Sequence, residues 1–350
     1  MNRRCLKKKI WICADVWMDI FPSFDHAQLG LKMALLSDRF DCLVDAHFDG
    51  KSELTIWNDI RILKDKGRNA NNNGPKAKLF VWIKDSKNHV DFLLPDHPLP
   101  AKICFKNLWI SYIDHSVIAF LRANNQIWDR MGINLEFNLY SSAKTENDVQ
   151  QYWNALVCEI WPVFATNIRQ LYFPDGAHLD NLRRRISPSI LTELDQLISI
   201  DTEGLFPDAI GDDFGGPNAT SGQALSKWVH TPSKNGQPKR LFCEELEKEG
   251  KVNWVNSFKE AFARATTSVS YKILFAVRKT SIEPFEAVNE RTKEKLTLDK
   301  VPCPAVYCLL KRCPISEKAV SVQLENDEFW DDNLNKVTID LWGKINKSIG

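Results

Sequence analysis

Strand-like and helical segments alternate along residues 104–275, and this alternation constrains the fold more than any other feature of the 350-residue chain. The apolar segments are short and rich in β-branched and aromatic residues, and most begin roughly thirty residues after the previous one. Strand candidates are 108–112, 133–140, 168–173, 197–200, 239–243 and 269–275, and helical patterns cover 117–128, 148–164 and 252–265. This alternation predicts a mainly parallel sheet with helices packed on it.

The spacing, together with the pattern Ile168-x-x-Leu171-x-Phe173, resembles a leucine-rich-repeat horseshoe, in which each repeat adds one strand to a curved sheet. Because the repeat is irregular, a compact α/β domain is the alternative for residues 101–350. Beyond Ser281 the segments 285–288, 295–298 and 306–310 are typical of antiparallel strands, and 337–342 is a candidate for one more. We expect them to form a β cap over the open end of the parallel sheet.

The pattern of residues 49–100 is typical of strands rather than helices. The strand-like segments are 54–57, 60–63, 79–83 and 90–94, and the polar segment 65–78 between them is dense in Lys, Asn and Gly, as loops are. Pro95, Pro98 and Pro100 then interrupt the pattern and mark a boundary. We therefore predict a small antiparallel β segment that links an N-terminal module, residues 10–48, to an α/β domain that spans residues 101–350.

The N-terminal module has the pattern of three short amphipathic helices. An apolar stripe on the first helix is formed by Val16, Trp17, Ile20, Phe21 and Phe24. Asp25 and Gln28 form a capping-box pattern for the second helix, and Ser37 or Asp38 can cap the third. Three such helices bury little surface by themselves, so we expect part of their apolar face to remain for a partner.

The order of these positions resembles an F-box, the element that docks substrate adaptors onto the Skp subunit of SCF (Skp–cullin–F-box) ubiquitin ligases. The match lies in Asp15-Val16 and Ile20-Phe21 of the first helix, Asp25-His26 between helices, and Leu36-Ser37-Asp38-Arg39-Phe40 in place of the Val-Ser-Arg-x-Trp signature. Cys13 stands where the family has proline, and Phe40 where tryptophan is common.

Further short sequence motifs extend the resemblance over most of the chain. They are Glu203-Gly204-Leu205-Phe206-Pro207, Ala224-Leu225-Ser226-Lys227-Trp228, Thr231-Pro232 and Arg312-Cys313-Pro314-Ile315. In these motifs the chain resembles the large F-box families of plant-parasitic nematodes. The resemblance implies a substrate-recognition adaptor in the cytoplasm or nucleus, which binds a Skp-family subunit, and through it a cullin, and holds an unidentified protein target.

The residues that the resemblance assigns to the Skp contact, some of which would form the core of the module itself, are Val16, Ile20, Phe21, Leu29, Leu35, Phe40 and Leu43. An apolar stripe with a basic rim is the physical reason to expect a docking surface there. The resulting fold class is α+β or α/β: a three-helix F-box, then a mainly parallel α/β domain with an antiparallel cap.

Composition and motifs argue against other classes of function. A formal net charge of +1 provides no electrostatic footprint for nucleic acid, and no apolar run reaches the roughly 18–20 residues that span a bilayer. Nine widely scattered cysteines suggest free thiols in a reducing compartment. We therefore expect neither a nucleic acid nor a membrane as a partner.

Motifs for catalysis are also missing from the sequence. It has no glycine-rich phosphate loop, no paired-histidine metal helix and no nucleophile elbow, so we expect no catalytic residue, cofactor or metal. Cys303, Cys308 and Cys313 invite a zinc hypothesis, but residues five apart on a strand face opposite sides. Two alternatives remain: a binding protein whose degenerate F-box no longer docks, and a cysteine or serine hydrolase.

Overall fold

The computed structural model describes residues 12–24, 28–50, 55–64, 77–82, 89–95, 98–99, 103–137, 145–208, 219–244, 252–276, 282–301, 307–316 and 335–340. The first two ranges are helical. Helix α1 (Ala14–Ile20) runs into a 3-10 turn (Phe21–Ser23), and a π-helical turn (Leu29–Met33) continues as a 3-10 turn (Ala34–Leu36) before helix α2 (Asp38–Asp49). Ser37, rather than Asp38, caps α2, because its Oγ accepts a hydrogen bond from the Phe40 amide at 3.4 Å.

The rest of the described chain forms a 13-stranded sheet with helices packed on it. The strands are β1 (Thr55–Lys64), β2 (Ala77–Trp82), β3 (His89–Leu93), β4 (Ile103–Ile110), β5 (Ile133–Phe137), β6 (Ile168–Phe173), β7 (Ser199–Glu203), β8 (Lys239–Glu244), β9 (Tyr271–Ala276), β10 (Phe285–Asn289), β11 (Glu294–Val301), β12 (Tyr307–Pro314) and β13 (Asn335–Ile339). The remaining helices are α3 (His115–Ala123), α4 (Asn125–Met131), α5 (Glu146–Ala155), α6 (Trp161–Phe164), α7 (Gly176–Arg185), α8 (Ile190–Glu193), α9 (Ser221–His230) and α10 (Val252–Arg264).

The sheet is open and mostly parallel, with an antiparallel group at each edge. Its spatial order is β10-β11-β12-β9-β8-β7-β6-β5-β13-β4-β1-β2-β3. The strands from β9 to β1 in this order run parallel, whereas β2 and β3 at one edge and β12, β11 and β10 at the other are antiparallel. The predicted class, a mixed α/β protein with a mainly parallel sheet, is therefore confirmed.

Strand β1 joins the antiparallel segment near the N-terminus to the main sheet. It pairs antiparallel with β2 on one side and parallel with β4 on the other. The segments 54–57 and 60–63, predicted separately, belong largely to this one strand. The β1–β2–β3 segment is thus continuous with the sheet of the α/β domain.

The last described strand lies elsewhere than the sequence suggested. We expected 337–342 to extend the antiparallel cap, but β13 is inserted between β4 and β5 and runs parallel to both. Val337 and Ile339 are fully buried there, so the insertion removes apolar surface from water and pairs both edges of the strand. Local sequence cannot reveal this partner choice, because the pairing is between residues that are far apart in the chain.

The two faces of the sheet differ in chemistry. On the helix face, side chains of the parallel strands are apolar and fully buried, as are Leu135, Leu171, Ile200, Ile273 and Phe275. Helices cover this face: Phe137 of β5 packs near Trp153 of α5, and Tyr271 of β9 near Phe258 of α10. The alternate residues project from the opposite side, which we call the polar face.

Candidate interaction surfaces

The N-terminal helices pack around an aromatic cluster. Phe21 is fully buried, and Trp17 lies between two rings, 6.2 Å from the Phe21 centroid and 4.8 Å, edge-on, from that of Phe40. The Arg39 guanidinium donates to the Ile12 carbonyl at 2.6 Å and ties the start of α2 to the residues before α1. These contacts hold the first turn of α1 against the first turn of α2.

The structure places the residues predicted for Skp docking in different environments. Phe21 and Leu29 are fully buried and belong to the core that the helices share with the sheet, so their contribution is to folding. Ile20, Phe40 and Leu43 are half-buried. Val16 is exposed, with 43% of its surface accessible. The Leu35 side chain lies outside the described part of the chain.

One exposed leucine, Leu36, was not among the residues predicted for docking. Leu36 is 62% exposed and directly precedes the Ser37 cap of α2. Its position gave no signal of exposure, because an apolar residue just before an N-cap often packs against the helix that follows. Val16 and Leu36 thus provide accessible apolar surface on this module.

The polar face contains a second cluster, built by cross-strand register. Adjacent strands align Trp109, Thr338, Glu136, Tyr172, Asp201, Phe242, Leu274 and Leu309 in one row that crosses β4, β13, β5, β6, β7, β8, β9 and β12. Neighbouring strands are about 4.8 Å apart, so side chains in such a row contact one another. Asp201 lies between two aromatic residues, Tyr172 and Phe242.

Carboxylates gather around Asp201. Glu136 is paired, since it accepts from Lys336 Nζ at 2.7 Å and Thr338 Oγ1 at 3.2 Å. Glu203 accepts a short hydrogen bond from the Tyr172 hydroxyl. Asp201 is only 8% exposed, yet its Oδ1 has no hydrogen-bond partner among the residues that the structure describes. A buried carboxylate oxygen without a donor is energetically costly.

This arrangement changes the acidity of Asp201. Burial, followed by the negative charges of Glu244, Glu203 and Glu136, raises the pKa of the Asp201 carboxyl to about 7, and Lys336 offsets only part of the effect. The same causes act on its neighbour: burial and the hydrogen bond to Glu203 raise the pKa of the Tyr172 hydroxyl. The local field therefore favours a positive charge at this point of the sheet.

A small apolar cluster adjoins the carboxylates on the same face. Leu274, Leu309 and Val301 form it, separate from the main core, and Phe242 and Tyr307 pack against them with their ring centroids 6.1 Å apart. Phe242 borders both groups, because it is the neighbour of Asp201 in the row. The polar face thus places apolar and acidic side chains next to each other.

A different carboxylate lies on the helix face. Glu294 and Arg312 are each 1% exposed, and the Arg312 guanidinium donates to Glu294 Oε2 from Nη2 at 2.6 Å and from Nε at 3.0 Å. Ser268 and the Val269 amide donate to Glu294 Oε1, each at 2.8 Å. Burial alone would raise the pKa of Glu294, but the hydrogen bonds from Arg312 and Ser268 hold that pKa below its ordinary value.

The residues considered for metal binding or nucleophilic catalysis do not form a centre in the described part of the chain. Cys308 belongs to the main core of the helix face, whereas Cys313, five residues further along β12, projects from the other face; Cys303 lies outside the described residues. No group of three potential metal ligands occurs among the described residues. Burial raises the pKa of the Cys308 thiol, the opposite of what a nucleophile needs.

Comparisons with known proteins do not assign the chain to a family. No protein-family model matches it, and the search of curated proteins finds no significant match. Within the described ranges, no helix has the length and apolar character needed to cross a membrane.

Proposed function

We propose that the chain is the substrate-recognition adaptor of an SCF-type ubiquitin ligase. The N-terminal helices dock on a Skp-family subunit, and through it on a cullin, while the α/β domain holds the protein target. The chain contributes binding rather than catalysis and acts in the cytoplasm or nucleus. The resemblance of residues 10–48 to an F-box is the basis of this proposal.

The exposed apolar side chains of the N-terminal module carry the proposal. Most of its apolar side chains pack inward, yet Val16 and Leu36 are exposed, and exposed apolar surface of this kind is typical of interaction sites. The Trp17–Phe40 contact and the Arg39–Ile12 hydrogen bond hold α1 and α2 together. Exposed apolar side chains on a module that is held in this way can bind a partner at little entropic cost.

The experiment is a pull-down with a recombinant nematode Skp-family subunit and the full chain. Val16→Glu and Leu36→Glu place a charge in the surface without touching the core, so we expect each to weaken Skp binding roughly tenfold or more. Exposed residues of the same type supply matched controls: Val288→Glu, 50% exposed on β10, and Leu93→Glu, 64% exposed on β3. These two should bind as the wild type does.

A further variant addresses the position where the resemblance departs from the family. Cys13 has φ −68° and ψ 161°, a conformation that proline adopts without strain, and it is exposed. Cys13→Pro should therefore fold and bind Skp at least as strongly as the wild type. Wild-type binding by Val16→Glu and Leu36→Glu, or no Skp binding by a folded wild-type chain, would refute docking and leave a binding protein with a degenerate F-box.

A further inference from the structure

On the polar face, the buried Asp201 carboxylate has an oxygen without a hydrogen-bond donor among the described residues, and this feature indicates a ligand site. Its carboxylate is more than nine-tenths buried, and its Oδ1 receives no hydrogen bond from the described residues. Glu203 and Glu244 flank it on β7 and β8, directly opposite each other in the strand register. A cation at this point would gain from all three carboxylates and would supply the missing donor.

The surroundings of Asp201 indicate which kind of cation fits. The rings of Tyr172 and Phe242 stand on both sides of it in the row, and faces of aromatic rings attract guanidinium and ammonium groups. Beyond Phe242 lies the half-buried ring of Tyr307, and both rings pack against the buried cluster of Leu274, Leu309 and Val301. A metal ion would not use the rings, whereas a polypeptide with a basic and an apolar side chain would use both the carboxylates and the rings.

We propose that the polar face binds an extended basic segment of a partner protein, with an arginine or lysine side chain received by Asp201 between Tyr172 and Phe242. An apolar side chain of the same segment packs on the half-buried rings of Phe242 and Tyr307. The occupant is the target protein, so the biological meaning of this inference rests on the proposed adaptor function. The binding itself can be measured without any ligase subunit.

The pKa of Asp201 agrees with such a role. A pKa of about 7 in the free protein means that a positive charge from a ligand stabilises the ionised carboxylate, which the free site disfavours. A carboxylate that serves only the structure is paired with donors in the free protein, as Glu294 is with Arg312.

The test is fluorescence anisotropy with the purified full chain and labelled Gly/Ser peptides that contain one arginine next to one leucine. Matched probes replace the arginine by lysine or by citrulline, which keeps the shape and removes the charge. We expect the arginine and lysine peptides to bind roughly tenfold or more tightly than the citrulline peptide. Spermidine, a flexible cation without an apolar group, should compete weakly.

Variants locate the site. Asp201→Asn and the exposed Glu244→Gln should each weaken binding of the arginine peptide, Asp201→Asn by roughly tenfold and Glu244→Gln by less. Asp299→Asn makes the same chemical change on β11 at the far end of the row and should leave binding unchanged. Val16→Glu, which is expected to lose Skp, should bind the peptide normally.

Three results would overturn the proposal. Equal binding of the citrulline and arginine peptides would exclude charge recognition, and equal losses in Asp201→Asn and Asp299→Asn would indicate unspecific attraction. Competition by spermidine as strong as that by the peptide would mean a site for free cations. None of these results bears on Skp docking, so the two proposals fail separately.

Discussion

Glu294 and Asp201 are carboxylates of the same sheet that lie in opposite electrostatic environments. Glu294 lies on the helix face with a guanidinium partner that donates two hydrogen bonds to its Oε2, and its pKa is lowered despite burial. Asp201 lies on the polar face among like charges, and its pKa is raised to about 7. A buried charge stabilises a structure only when its partners are present, so the first carboxylate contributes to the architecture, and the second is the one that we propose for recognition.

Among these carboxylates, substitution of Glu294 should have the largest effect on stability. Replacing it with glutamine leaves the Arg312 guanidinium buried without its counter-ion, which should cost about 3–5 kcal/mol of the free energy of unfolding in urea. Because its pKa is lowered in the folded state, Glu294 stabilises the protein above the pKa it has when unfolded. Its contribution is lost as the pH falls, so the difference from wild type should narrow in acid.

Glu290→Gln is the matched control for this experiment. Glu290 pairs with Lys293 at 2.9 Å, but both side chains are 75% exposed, and exposed pairs of this kind contribute about 0–1 kcal/mol. The double variant Glu294→Leu/Arg312→Met, which removes both charges, should recover much of the loss. Equal effects of Glu290→Gln and Glu294→Gln would contradict the structural role of the buried pair.

Removing the charge at Asp201 should have the opposite sign. A carboxyl with a raised pKa contributes most to stability below its unfolded pKa, and that contribution disappears as the pH rises through about 7. Asp201→Asn should therefore be more stable than wild type at about pH 8, by up to about 4 kcal/mol, and this advantage should fall to about 1–2 kcal/mol near pH 5.

Thermal melts at the two pH values measure this difference, with Asp299→Asn as the control for the same chemical change. A destabilised Asp201→Asn at alkaline pH would show that Asp201 has a structural partner after all. Together with the peptide assay, a gain in stability paired with a loss in binding would identify a residue retained for function rather than for folding.

A third carboxylate, Asp208, takes part in an interaction with a smaller expected effect on stability. It accepts a short hydrogen bond from the Thr220 hydroxyl, which also caps α9 by accepting from the Gln223 amide at 3.0 Å. Thr220→Ala should cost about 1–2 kcal/mol, because helix capping and one hydrogen bond to a carboxylate are lost.

Thr220→Ser keeps the hydroxyl and should retain most of the stability in the same denaturation experiment. A loss from Thr220→Ala as large as that from Glu294→Gln would contradict the ranking in which full burial and opposite charge, rather than a hydrogen bond alone, make the larger contribution.

Much of the local structure was predictable, because hydrophobic periodicity reports directly on strands and helices. Strand β6 spans the residues predicted for it, and the apolar pattern 252–265 corresponds closely to α10. Helix α9 was missed, although Thr220 and Gln223 form a capping box that could have indicated it.

The candidate surfaces were less predictable. The apolar stripe of the first helix was recognisable, but Phe21 and Val16 differ only in which neighbours they meet, so burial of one and exposure of the other could not be inferred from spacing. The Skp docking residues stay a prediction. The Asp201 cluster was not predicted at all, because its members come from strands β5, β7 and β8 and meet only through register.

The class of the fold follows from local patterns in the sequence: strands alternate with helices, and an apolar residue at every second strand position requires one covered face. The order of the strands, above all the place of β13 between β4 and β5, depends on tertiary contacts. Tertiary contacts also decide which carboxylate has a partner, because nothing in the local sequence shows that Glu294 is paired and Asp201 is not. The reason is physical: periodicity is a local property of the chain, whereas register, burial and charge pairing depend on residues that are distant in sequence.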